Sequence, residues 1–268
     1  MTRPAKVLTP QTRRRHEHNA ARAPFRPGRA VSTLTIPARF KGPPHSANGG
    51  YVCGLMASRI EGDVAASLKS PPPLDTPITL VQSGDSVELH LHDRLLGRAQ
   101  ATELDLTVPP LPEALELGMD PVDAPGRPKE FAPFSTCFVC GKDRSHPDGL
   151  CIHPRQVVGR DDMVAAHWRL HAGLADEDGS VAHEFLWAAL DCPGYFACAA
   201  GEAALLARLT VGIRAALPAA GEATVVGWDM SGTGRKRRCG TAIFAPDGSL
   251  VAKAEGVWVV VDPSSITA

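Results

Sequence analysis

The chain has 268 residues, 44% of them hydrophobic and 21% charged, with a formal net charge of −1. That is enough apolar material for one large packed domain or two of ordinary size, and no run of 18 apolar residues is present to span a membrane. A nearly neutral chain argues against general nucleic-acid binding.

Charge is concentrated at one end, where residues 1–30 carry seven arginines and one lysine against Glu17 alone. With few large apolar groups, this segment is expected to be a disordered basic arm. It lacks the apolar stretch of a secretory leader, and seven cysteines, an odd number, fit reduced thiols. The expected compartment is the cytoplasm.

Residues 31–40 read as a strand. Asn48 is placed to cap a helix that opens on Gly49-Gly50-Tyr51 and runs to about residue 60. Strands are expected at 64–68 and 78–82, separated by Pro71-Pro72-Pro73. The clearest β pattern follows, with Val87, Leu89 and Leu91 alternating against Ser86, Glu88, His90 and His92. The turn at Asp93-Arg94 leads into a strand at 95–106. Prolines at 109, 110, 112, 121, 125, 128 and 133 mark residues 108–133 as a linker. Beyond it, strands are expected at 149–158 and 163–170, a helix over 183–209, and further strands at 210–217, 223–231, 237–245 and 250–261. The order strand, helix, then three or four antiparallel strands thus occurs twice, an internal repeat of ~110–130 residues. Two unrelated α+β domains are the alternative.

Within the second helix, Phe185-Leu186-Trp187-Ala188-Ala189-Leu190-Asp191-Cys192-Pro193 sets one carboxylate in an apolar run. Burying an ionised carboxylate costs several kcal/mol unless donors meet it, so such a group is a candidate for chemistry. The other reading makes Asp191 a helix N-cap, with Pro193 in the first turn. Gly49-Gly50 likewise reads either as an opening for close substrate approach or as tight helix packing.

Three further clusters invite readings. Cys137-x-x-Cys140, with His146, Cys151 and His153 nearby, has the residue types of a zinc site. Against that, Cys151 and His153 do not form a second Cys-x-x-Cys, and no metal or other cofactor is assigned. Arg235-Lys236-Arg237-Arg238 is either a phosphate-binding fork or a charged, solvated sheet edge. Asp178 and His183 are five residues apart, with Ser180-Val181 between them and an acidic loop around Asp178.

Asn48-Gly49-Gly50 before an apolar helix resembles the His-Gly-Gly opening of hotdog acyl-CoA thioesterases, and Trp187-Ala188-Ala189-Leu190-Asp191 resembles the later part of that helix, where the acid sits. Cys137-Phe138-Val139-Cys140-Gly141 with Asp148-Gly149-Leu150 resembles the opening segment of many hotdog chains. The resemblance covers about residues 31–262 and implies an α+β tandem (double) hotdog, with two central helices wrapped by antiparallel sheet. The implied domains are an N-terminal hotdog at 31–107 and a C-terminal hotdog at 134–268.

Each half keeps a different part of the motif, the glycines in one and the acid in the other, which fits one composite site. The resemblance implies an acyl-CoA-type thioester hydrolase: Asp191 as base, the Gly50 and Tyr51 amides as oxyanion donors, and His45, Asn48, Gly49, Arg235 and Arg237 on the substrate. The alternative is a non-catalytic hotdog module that binds acyl-CoA or a lipid-like ligand. The expected partner is a small acyl thioester, with no nucleic acid or membrane, and a homodimer is possible. The Asp178 and His183 spacing is similar to that of hotdog hydratases, but the Asn-Pro normally between the pair is missing.

Overall fold

The computed structural model describes residues 30–267. The expected basic arm therefore lies outside the described residues, apart from Ala30, which begins a strand. In chain order the elements are β1 (Ala30–Thr35), α1 (Gly49–Ala57), β2 (Asp63–Leu68), β3 (Pro77–Ser83), β4 (Ser86–Leu91), β5 (Arg94–Thr102), β6 (Arg155–Val157), β7 (Arg160–Leu170), α2 (His183–Ala189), α3 (Cys192–Cys198), β8 (Ala204–Ile213), β9 (Gly221–Asp229), β10 (Lys236–Phe244), β11 (Leu250–Val260) and a short terminal α4 (Ser264–Thr267).

The eleven strands of the described residues form one antiparallel sheet in the order β1-β3-β4-β5-β2-β8-β11-β10-β9-β7-β6. From the central β2–β8 pair outward, the order reads almost identically in both directions. β5, β4, β3 and β1 match β11, β10, β9 and β7. The join runs through Val64 to Val211 and Ser67 to Arg208, and Arg214 ties across it with a two-point ion pair to Asp63 at 2.6 and 3.0 Å.

Local chemistry explains the elements. Asn48 caps α1, its side-chain oxygen accepting from the Tyr51 N–H at 2.9 Å. Along β4, Val87 and Leu89 are buried while Ser86, Glu88 and His90 are half-buried, the period-two pattern of a strand with one face on the core.

Three expectations are corrected. The helix over 183–209 is two short helices followed by a strand. Pro193 has no N–H to donate to Ala189, so the ladder breaks at Asp191. The Leu190 carbonyl freed there accepts instead from Thr241 Oγ at 2.9 Å. Residues 204–209 favour a helix by propensity but are drawn into β8, because β2 and β11 offer ladder partners on both sides. The strand at 149–158 shrinks to Arg155–Val157, since Cys151 takes φ 52° and Pro154 cannot donate. The strand at 31–40 stops at Thr35, and a 3-10 turn covers Ala38–Phe40.

The main core lies between the sheet and the helices. A smaller one forms on the opposite face of the second half, where Leu104 and Leu106 pack with Val157, Met163, Val226 and Trp228. Leu111, Leu115 and Leu117 of the Pro-rich stretch cover that second cluster. No helix among the described residues is long and apolar enough to cross a membrane.

α1 lies directly against α2. A Cβ on Gly54 would sit 2.6 Å from the Glu184 Cα and 2.9 Å from the Trp187 Cβ. Gly54→Ala is therefore expected to force the helices apart and destabilise the protein by ~1–3 kcal/mol, the usual cost of overpacking. Chemical denaturation measures it; a variant as stable as the parent would mean that the two helices are not in backbone contact.

Candidate functional site

The break between α2 and α3 leaves Asp191 facing α1. Its carboxylate is 2% exposed. Oδ2 accepts from the Gly50 N–H at 2.8 Å and from Asn48 Nδ2 at 2.9 Å. Oδ1 is buried and has no partner among the described residues. The side chain makes no capping hydrogen bond to α3, although Asp191 occupies the position before it. Burial pushes the carboxyl up from its ordinary 3.8 to about 7; the Gly50 N–H opposes that rise, Cys137 adds to it and Asn48 opposes it.

Gly50 is required for this contact. A Cβ there would lie 2.5 Å from the Asp191 Cβ and 2.7 Å from the Trp187 carbonyl oxygen. Any side chain at position 50 would thus push the acid off the helix terminus.

Asp191 lines a largely apolar cavity of about 230 Å³. Asn48 and Gly49 from α1 face it, as do Leu206 from β8, Trp258 from β11, and Tyr195 and Cys192 from α3. Phe131 of the Pro-rich stretch and Phe134 just after it supply another wall. Both halves therefore contribute to it.

The residues picked out in the sequence fare differently. Asn48, Gly49, Gly50 and Asp191 come together. The Tyr51 N–H is taken by Asn48 and the Gly50 N–H by Asp191, so neither amide is free to meet a substrate oxygen in this arrangement. The Gly49 N–H has no partner among the described residues, and Gly49 faces the cavity. The Tyr51 ring stacks on Phe40, centroids 4.2 Å apart, away from the cavity lining. Burial pushes its hydroxyl up to about 12.

His45 is exposed and outside the lining. Arg235 is exposed, and Arg237 is committed to Glu202 by two bonds of 2.7 and 2.6 Å. Neither arginine lines the cavity, so a phosphate fork at this site is not formed by them. Asp178 is exposed and accepts from the Ser180 N–H at 2.8 Å, while the half-buried His183 ring packs against Trp187. Neither faces the cavity, which leaves the hydratase pattern without a site.

Cys192, Tyr195, Trp258, Phe131 and Phe134 were not picked out as site residues. A signal existed for two of them, since paired phenylalanines in a Pro-rich stretch need an apolar surface to cover.

The fold is shared with several solved structures. The tesB protein of Mycobacterium avium subs paratuberculosis superposes with a TM-score of 0.55 at 15% identity, covering 87% of this chain and 93% of that one. Acyl-CoA thioesterase II TesB2 of Mycobacterium marinum gives 0.56 at 13% identity, covering 88% and 94%. A conserved protein with a hot dog fold from Alicyclobacillus acidocaldarius gives 0.56 at 13%, covering 87% and 96%. The chain is a hotdog-fold protein. No family model and no curated protein matches its sequence.

The raised carboxyl has a consequence for stability. Between its ordinary value and about 7, the folded state binds more protons at Asp191 than the unfolded chain does, so stability falls as pH rises through that window. Asp191→Asn keeps an acceptor for the Gly50 N–H and removes the titration. It is expected to melt above the parent at pH 8, with a gap that narrows by pH 5; an equal or lower melting temperature at pH 8 would contradict a strained, buried carboxylate.

Proposed function

We propose that this chain is a tandem double hotdog that hydrolyses an acyl-CoA-type thioester. The observation that carries the reading is a buried carboxylate, Asp191, held across the repeat by Gly50 and Asn48 at the wall of an apolar cavity. The mirrored strand order supports two hotdog units, at 31–107 and 134–268, joined by 108–133. An acyl-CoA thioesterase II among the structures of like fold supports the reaction class.

In this reading the acyl chain occupies the cavity between Leu206, Trp258 and Phe134. The Gly49 N–H, at the positive end of α1, meets the thioester carbonyl and stabilises the developing oxyanion. Asp191 takes a proton from water as the water oxygen attacks that carbonyl; the tetrahedral intermediate then breaks its C–S bond, and the proton passes from Asp191 to the departing sulfur, leaving a free acid and a thiol. A carboxyl pushed up to about 7 suits the task, because it holds a proton more strongly than an ordinary carboxylate while still ionising near neutral pH. Free cysteines throughout the described chain fit a reducing, cytoplasmic setting. A homodimer would have the open edge of β1, where Val31 is 61% exposed, as one available surface.

A second reading, a binding module that holds acyl-CoA without cleaving it, draws on the engaged Gly50 and Tyr51 amides. One substitution separates the two. Asp191→Asn is expected to lower thiol release from the best acyl-CoA by about 10²–10⁴-fold while ligand affinity stays within a few-fold. Full activity in the variant would remove Asp191 as base. Saturable binding with no thiol release by the parent across a panel of acyl-CoAs would establish the module instead.

A further inference from the structure

We propose that Cys137, Cys140 and Cys192 bind one zinc ion at the wall of the cavity, with the fourth coordination position turned toward the cavity. This goes beyond the thioesterase reading and does not depend on it.

The three sulfurs lie within 4.8 Å of one another. Cys137 Sγ and Cys192 Sγ are 3.8 Å apart. A zinc–thiolate bond of about 2.3 Å at the tetrahedral angle places two sulfurs ~3.8 Å apart, whereas a disulfide requires about 2.05 Å. The spacing fits an ion between the sulfurs and not a bond between them. All three cysteines line the cavity, which gives an ion a way in.

The backbone is shaped for the same purpose. Cys137 and Cys140 sit on a tight knuckle closed by the Gly141 N–H to the Cys137 carbonyl at 2.9 Å. A Cβ on Gly141 would lie 2.5 Å from two carbonyl oxygens, those of Cys137 and Ser135, so the turn admits glycine. Asn48 Nδ2 reaches Cys192 Sγ at 3.9 Å and supports the third sulfur from α1.

Three soft thiolates select zinc over calcium or magnesium, and three protein ligands with one open position is the arrangement of reactive zinc sites. The remaining candidates from the sequence take no part. Cys151 turns toward the Gly149 carbonyl at 3.7 Å, and His153 is exposed beside the Gly141 carbonyl. The third ligand is Cys192, some fifty residues further along the chain.

The test is metal content, measured by mass spectrometry on the full chain purified under reductant from zinc-supplemented medium. About one zinc per chain is expected. Cys192→Ala and Cys140→Ala should each lose most of it, while Cys151→Ala retains it. Cobalt loaded into the parent protein should give thiolate-to-metal charge-transfer absorption, a readout that needs no variant to fold. No zinc after reconstitution, full zinc in Cys192→Ala, loss of zinc in Cys151→Ala, or a disulfide joining two of the three cysteines in the reduced protein would each overturn the assignment.

Discussion

The structure depends on how closely α1 approaches the α2–α3 break. Glycine at positions 50 and 54 lets two backbones meet where any side chain would collide. That approach is what brings a helix N-terminal N–H within 2.8 Å of a carboxylate from the other half of the chain. A buried carboxylate with no donor costs several kcal/mol, and two donors on one oxygen offset part of that cost. The other oxygen stays unpartnered, so the group keeps a strained, elevated proton affinity. The proposed function and the destabilisation would come from the same arrangement.

Because α1 belongs to the first half and Asp191 to the second, the site exists when the halves are in register. The β2–β8 ladder sets that register. Thr241 on β10 adds a second constraint by holding the Leu190 carbonyl, which fixes the turn just before Asp191. The walls follow the same logic, since Leu68 and Leu206 come from the two strands that meet at the join. The cavity is therefore a product of the junction, and neither half contains it alone.

Much of this was legible in the sequence, for reasons that can be named. β4 could be read because one of its faces is buried and the other is not. The pairing of Gly50 with Asp191 could be suspected because an acid in an apolar helical run needs a donor from elsewhere. Other features were hidden because tertiary contacts override local preference. The Glu202–Leu209 run favours a helix, yet ladder partners on both sides make most of it strand. The basic cluster at 235–238 looked available, but Arg237 and Arg238 are spent on Glu202 and Glu255. The Pro-rich stretch looked like a spacer, yet its leucines cover one core and its phenylalanines wall the cavity. Cys192 was in plain view beside Asp191, but its nearness to Cys137 is a property of the fold.

That nearness raises a question of charge, because a negative cluster beside Asp191 would itself hold the carboxyl protonated. Three thiolates alone would place three negative charges beside the carboxyl, and a divalent zinc among them would leave one. A bound ion would therefore relieve most of the repulsion on an ionised Asp191 carboxylate. The ion would also fix the positions of three sulfurs that line the cavity. For the proposed thioester hydrolysis that rigidity would help, because a carboxylate, an amide and apolar walls act on a reacting carbonyl only while their separations hold.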